Sequence, residues 1–140
     1  MKNNKAMTQV NQFIYEVENS NFKYKCELLL FIWLILDTGI RVSEIPSVKP
    51  IGNCEIEILS TKQRCRKVYR AKIKEETEKL FYKTLGVDHL KDTQHYSFKF
   101  PSTLLVSRKA KLYFKEPFLS LAQIRAICRE FWLKGMQKQY

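Results

Sequence analysis

From Leu28 to Leu36 the chain runs nine residues, Leu-Leu-Leu-Phe-Ile-Trp-Leu-Ile-Leu, without one polar side chain. Leaving any of them in water costs about 1.5–3 kcal/mol per large side chain. A helix from about Tyr24 to Leu36, apolar nearly all round, is therefore expected at the centre of the core. Leu29, Ile32, Trp33 and Leu36 should each be almost fully covered. The chain must leave that core at Asp37-Thr38, and Gly39 is the residue there that takes positive φ without strain. Arg41 and Glu44 then open a second helical turn, where i,i+3 spacing puts them on one face. An arginine held at a helix corner and backed by a carboxylate is pre-organised for a bidentate grip on phosphate. A purely structural Arg–Glu pair would leave the same signature, so these residues alone do not separate the two.

The charge narrows the choice. With 25 basic against 14 acidic residues the chain carries a formal +11 over 140 residues. Such a field favours polyanions, nucleic acid first and an anionic membrane surface second. One domain spanning residues 1–140 can bury roughly two-thirds of its chain surface. Its 45% apolar and 13% aromatic content argues for a packed core rather than disorder. The apolar run falls well short of the roughly 20 residues needed to span a bilayer. The opening Met1-Lys2-Asn3-Asn4-Lys5 has no apolar signal-peptide core, so the expectation is an intracellular, cytoplasmic protein with no membrane partner. Cys26, Cys54, Cys65 and Cys128 show no zinc-ligand spacing, and His89 and His95 form no ligand pair. No metal and no cofactor are expected.

Along the chain, Thr8 can cap a first helix, because Val10, Phe13, Ile14 and Val17 follow at i, i+3, i+4, i+7. Asn19-Ser20-Asn21 breaks it. Pro46 and Pro50 should close the short helix that holds Arg41. After Gly52-Asn53 the period changes to two. Glu55-Ile56-Glu57-Ile58 and Val68 to Ile73 read as strands of an antiparallel hairpin joined by Ser60 to Arg66. Lys74-Glu75-Glu76-Thr77 starts a helix with its acids in the first turn, Leu80, Phe81 and Leu85 on its buried face, and Gly86 at its end. Phe98 to Ser102 resembles a short strand, and Val106 to Phe114 fits helix or strand. Ser120-Leu121-Ala122-Gln123 is a capping-box pattern opening a last helix, whose stripe is Leu121, Ile124, Ile127, Cys128, Phe131 and Trp132. The order is α+β, mostly helical with a small antiparallel sheet.

The hairpin is the second feature that points to chemistry. Lys62, Arg64, Arg66, Lys67, Arg70, Lys72 and Lys74 fall in thirteen residues with no acid among them. A basic two-stranded ribbon fits a DNA groove, and its charges displace counterions from phosphates. Tyr69 among these cations suits packing on sugar or base. Lysines protecting a solvated edge hairpin would give a similar pattern.

Leu28 to Glu44, an apolar helix followed by Thr38-Gly39-Ile40-Arg41-Val42-Ser43-Glu44, resembles the first motif of the tyrosine recombinase (phage integrase) family, T-G-x-R-x-S-E. Ile56 to Val68, with Thr61-Lys62 at its centre, resembles that family's hairpin, I-x-I-x-x-T-K-x-x-x-x-R-x-V. Phe100-Pro101-Ser102 is similar to its weaker F-P-S segment. The likeness spans about residues 8 to 132, with two specific motifs. It implies DNA strand-breaking and rejoining chemistry on double-stranded DNA, with DNA recombination or integration as the outcome. Arg41 would clamp the non-bridging oxygens of the scissile phosphate, and Lys62 would protonate the departing 5′ oxygen. Glu44 would support Arg41 without touching DNA. Lys62, Arg64, Arg66, Lys67, Arg70 and Lys72 would contact the duplex. Self-association, or a partner recombinase on DNA, is implied too.

Other family marks are missing. The family's His-x-x-Arg motif fits neither His89-Leu90-Lys91-Asp92 nor His95-Tyr96-Ser97-Phe98. Tyr140, the one late tyrosine, stands at the chain's end with no such motif before it. Pro46 replaces a residue that is usually apolar. The expectation is the amino-terminal part of a catalytic domain, truncated and catalytically incomplete, that binds DNA. A non-catalytic DNA-binding or regulatory module on the same fold, and an unrelated basic RNA-binding protein, remain the alternatives.

Overall fold

The computed structural model describes residues 2–60, 67–86 and 102–138. Among these residues five helices, one 3-10 helix and three strands follow in the order α1 (Lys2–Glu18), α2 (Lys25–Thr38), the 3-10 helix (Val42–Ser47), β1 (Lys49–Gly52), β2 (Glu55–Leu59), β3 (Val68–Lys72), α3 (Glu75–Leu85), α4 (Thr103–Phe114) and α5 (Leu121–Lys138). The class is α+β, mostly helical with one small antiparallel sheet. Among the described residues no helix is long and apolar enough to cross a membrane.

Helix α2 is the hub, packed by α1, α3, α4 and α5. Leu28, Leu30, Phe31, Ile32, Leu34 and Ile35 are buried, and Leu29 nearly so. Trp33 and Leu36, expected to be covered, are only half-buried. Trp33 faces a surface groove where the Lys74 ammonium lies 4.9 Å from its ring centre. A cation over the indole face stabilises a ring that is left half open.

Helix α1 begins at Lys2, so Thr8 lies inside it rather than at its cap. Nothing between Lys2 and Met7 is proline or glycine, so nothing stops the helix short of Thr8. Its stripe is as the spacing requires, with Val10, Phe13, Ile14 and Val17 buried. The break at Asn19-Ser20 has a mechanism: Asn19 Nδ2 donates to the Tyr15 carbonyl at 2.9 Å and Ser20 Oγ to that of Val17 at 2.7 Å.

The sheet has the order β1-β2-β3, all antiparallel. β1 is absent from the sequence reading, and its residue Pro50 belongs to a strand rather than a helix stop. Pro46 lies inside the 3-10 helix. β1 and β2 are joined by the two residues Asn53 and Cys54, both at positive φ (55° and 57°). Such a turn has the twist that antiparallel strands need. Cysteine accepts that conformation here because its N–H donates to Glu78 Oε2 at 2.6 Å and its carbonyl accepts from Ile73 N–H at 2.8 Å. Ile56 and Ile58 of β2 are fully buried. Across from them stand Ala71 and Tyr69 of β3, so Val68, Arg70 and Lys72 lie on the other face.

Helix α3 starts and stops as its sequence dictates, with Glu75, Glu76 and Glu78 in the first turn and Gly86 at φ 73° after the last. Phe81 is buried, while Leu80 and Leu85 are partly covered. Val106 to Phe114 resolves as helix, within α4, because Ser102 accepts the Leu105 N–H at 3.0 Å and opens it. Val106, Ala110 and Phe114 then share the buried face. The capping box at α5 is present in both directions: Ser120 N–H to Gln123 Oε1 at 2.9 Å, and Gln123 N–H to Ser120 Oγ at 3.1 Å. Residues 98–101 of the expected short strand lie outside the described residues.

Asp37 joins α2 to α3. Its Oδ2 accepts the Lys74 N–H at 3.1 Å and the Thr77 hydroxyl at 2.7 Å, so the end of one helix caps the start of another. The Lys74 ammonium reaches only to 4.0 Å from Oδ1, on a side chain 62% exposed. Asp37→Ala should therefore lower unfolding free energy by about 1–3 kcal/mol, because it takes the acceptor from the buried Thr77 hydroxyl and from the Lys74 N–H. Lys74→Met, which keeps the backbone N–H, should cost less than about 1 kcal/mol. Denaturant titration checks both, and equal losses would contradict the capping role.

Candidate functional site

The corner after α2 is built on Gly39. Its φ of 70° turns the chain out of the helix while its N–H still bonds to the Ile35 carbonyl at 2.8 Å. A Cβ there would also stand 2.7 Å from the Trp132 ring of α5. Glycine is thus required twice, for the turn and for the close approach. Thr38 Oγ1 donates to the Leu34 carbonyl at 2.6 Å and accepts the Ile40 N–H at 3.2 Å. Ile40 is buried, and Arg41 emerges half-buried in extended conformation (φ −74°, ψ 145°) at the head of the 3-10 helix.

Glu44 holds Arg41 by its backbone. Its Oε1 accepts the Arg41 backbone N–H at 3.0 Å, while its own N–H bonds to the Arg41 carbonyl at 2.9 Å. The carboxylate fixes Arg41 through the main chain and caps the 3-10 helix. The same oxygen accepts the Tyr69 hydroxyl at 3.1 Å. Tyr69 therefore turns its hydroxyl inward, not out toward sugar or base. Burial, then the Glu44 charge and hydrogen bond, push the Tyr69 phenol up to about 12, against smaller downward pulls from Arg125 and Arg41. Ser47 fastens the corner to the sheet: its hydroxyl donates to the Glu44 carbonyl at 2.7 Å and accepts the Leu59 N–H at 3.0 Å.

Arg41, Glu44 and Tyr69 line a cleft of about 400 Å³, together with Thr38, Gly39, Ser60, Arg125, Arg129 and Trp132. Arg125 and Arg129 are the residues that sequence reasoning missed. Arg125 Nε donates to the Gly39 carbonyl at 3.1 Å, which orients its guanidinium beside the corner. Burial, with the charges of Arg129 and Arg41, lowers the Arg125 guanidinium from its ordinary value, although it stays charged. Three guanidiniums share this cleft with one carboxylate. Arg125 and Arg129 thus join Arg41 in the cleft. The signal was present, since Arg125, Arg129 and Trp132 follow at i, i+4, i+7 on one helix row. What α5 packs against, however, is not written in α5.

The other site residues separate. Arg70 and Lys72 lie on the sheet face away from Tyr69, directly opposite Glu57 and Glu55 of β2. The ribbon that reads as acid-free along the chain thus has carboxylates beside it in the sheet. Lys67 is exposed, and its carbonyl accepts the N–H of Ser60, a cleft residue, at 2.8 Å. Lys62, Arg64, Arg66 and Cys65 lie outside the described residues, as do His89, His95 and Tyr140. Among the described residues no three His, Cys, Asp or Glu side chains come together as a metal site.

Gly39→Ala should destabilise the chain by at least about 1–2 kcal/mol from the left-handed backbone alone, and more from displacing Trp132. Tyr69 supplies a pH test. Its proton is held more tightly in the folded chain, so its contribution to stability is whole below about pH 10 and is lost as pH rises toward 12. Tyr69 is 39% exposed, so the loss should be screened to about 1 kcal/mol. Relative to wild type, Tyr69→Phe should show a flatter decline between pH 10 and 12, and its difference spectrum near 295 nm should lack one phenol titrating near 12. Identical curves would contradict the Tyr69–Glu44 bond. Comparison with protein-family models, with curated proteins and with solved structures finds no match for this chain, so its function rests on the cleft's own geometry.

Proposed function

We propose that the chain binds the phosphate backbone of double-stranded DNA in the Arg41–Arg125–Arg129 cleft, as an integrase-like domain that grips a phosphodiester without cutting it. One observation carries the reading. Arg41, at the head of the 3-10 helix, and Arg125, from α5, converge on one cleft although 84 residues separate them, and the Gly39 corner positions both. Guanidiniums held this close repel one another, and an arriving phosphate relieves that repulsion while filling both hydrogen-bonding forks. Arg41 would take the non-bridging oxygens, with Arg125 on the same phosphate and Arg129 nearer the rim. The formal +11 of the chain would draw the duplex in by counterion release. Lys67, with Lys62, Arg64 and Arg66 of the neighbouring connection, is assigned the flanking phosphates. Arg70 and Lys72, facing Glu57 and Glu55, are not.

On this reading Arg125 would serve as the second phosphate-binding arginine that the resemblance to tyrosine recombinases calls for, although Ala122 stands three residues before it, where a His-x-x-Arg motif carries histidine. Alanine cannot move a proton. Tyr69, the tyrosine that lines the cleft, keeps its proton to about pH 12, which leaves it a poor nucleophile. Binding without strand cleavage is the function that these groups support.

Anisotropy of a labelled duplex against salt tests it. Arg41→Ala and Arg125→Ala should each flatten the slope of log affinity against log salt by about one unit, while Arg70→Ala should change it less. Slopes unchanged in both cleft variants would refute the site, and tighter binding to folded RNA than to duplex would refute the ligand. On a suicide substrate, a denaturing gel should show no protein–DNA adduct. An adduct abolished by Tyr69→Phe or Tyr140→Phe would contradict the non-cleaving reading.

A further inference from the structure

Among the described residues two faces are left exposed, and their chemistry is complementary. The first is a groove of about 610 Å³ between the end of α1, α2 and α3. Leu29, Trp33 and Leu80 form its apolar lining, and Glu18 and Glu76 stand exposed at its rim. The one cation there, Lys74, is already turned onto the Trp33 ring at 4.9 Å and toward Asp37 at 4.0 Å. The second is the outer face of α4. Val106, Ala110 and Phe114 bury the inner face, yet Leu104, Leu105 and Leu112 remain 59%, 39% and 75% exposed on the outer one. Arg108 and Lys109 lie between them on the same face, since 104, 105, 108, 109 and 112 fall within one helical stripe. Leucines this open, grouped on one helix face, mark a surface that something covers.

We propose that the α2–α3 groove of one copy receives the outer face of α4 from a second copy. The occupant is set by charge as well as shape. A helix face of leucines flanked by arginine and lysine is repelled by most of a surface bearing a formal +11. A groove that offers an apolar floor between two glutamates is where such a face gains on both counts. The leucines would meet Leu29, Trp33 and Leu80, with Arg108 and Lys109 against Glu18 and Glu76. Donor and acceptor surfaces share no residue, so each copy can give α4 and receive another at once. The contact is heterologous and builds a ring or an open row rather than a closed pair. A single helix face in a groove makes a small interface, so association should be weak and concentration-dependent. The inference stands apart from the DNA reading and does not require it.

The test is a charge exchange, run on nucleic-acid-free protein by sedimentation equilibrium with circular dichroism to confirm folding. Every substituted side chain is exposed, so the fold should persist. Wild type should gain mass with concentration. Glu18→Lys/Glu76→Lys alone, and Arg108→Glu/Lys109→Glu alone, should each weaken association about tenfold or more, because like charges then face each other. Mixing the two variants should restore association, since the reversed groove of one then matches the reversed helix of the other. Wild type that stays monomeric, variants that associate like wild type, or a mixture that fails to recover would each overturn the proposal. Leu112→Asp gives a second arm and should weaken association with all charges in place. A monomeric wild type that instead binds phosphatidylserine vesicles through Leu112 would assign α4 to a membrane surface and equally overturn it.

Discussion

The left-handed turn at Gly39 is the constraint on which the candidate site depends. A helix with a nine-residue apolar run has to end somewhere, and it ends where a residue without a side chain lets the chain reverse. The space vacated by a missing Cβ admits the Trp132 ring, and the carbonyl exposed by the turn holds Arg125. The same turn sets Arg41 into the cleft two residues later. Core helix, arginine corner and last helix are thus one mechanical unit, and a substitution at residue 39 would disturb all three.

Carboxylates hold the rest. Asp37, Glu44 and Glu78 each accept a backbone N–H from another element or turn, at Lys74, Arg41 and Cys54. Charged acceptors make the stronger class of hydrogen bond, and each of these bonds fixes a turn or helix start that would otherwise fray. In a chain with only 14 acidic residues, using three in this way leaves the exterior more basic than composition implies. Structural need and polyanion attraction therefore reinforce each other. The hairpin's outer face is the exception, where Glu55 and Glu57 stand opposite Lys72 and Arg70.

Much of this was legible in the sequence because it is local. The core helix, the capping box at Ser120, the acids opening α3 and Gly86 closing it all follow from residues within a few positions of one another. What escaped was what distance decides. β1 was hidden because Pro46 and Pro50 read as helix stops, whereas the two-residue turn at Asn53-Cys54 needed Glu78 to hold it. Arg41 was singled out from its own motif and does line the cleft. Arg125 was not, because its row on α5 acquires meaning only once α5 lies against Gly39. Glu44 was read as a support for Arg41, and its bond to the Arg41 backbone N–H needed coordinates.

The central claim is that Arg41 and Arg125 hold the same phosphate, and a double-mutant cycle tests it most directly. Duplex affinity would be measured at one fixed salt concentration for wild type, Arg41→Ala, Arg125→Ala and the double variant. Two guanidiniums on one phosphate should be coupled by about 1 kcal/mol or more, with the double variant losing less than the sum of the singles. Losses that add to within about 0.5 kcal/mol would mean that the two arginines act on separate phosphates, and would contradict the account.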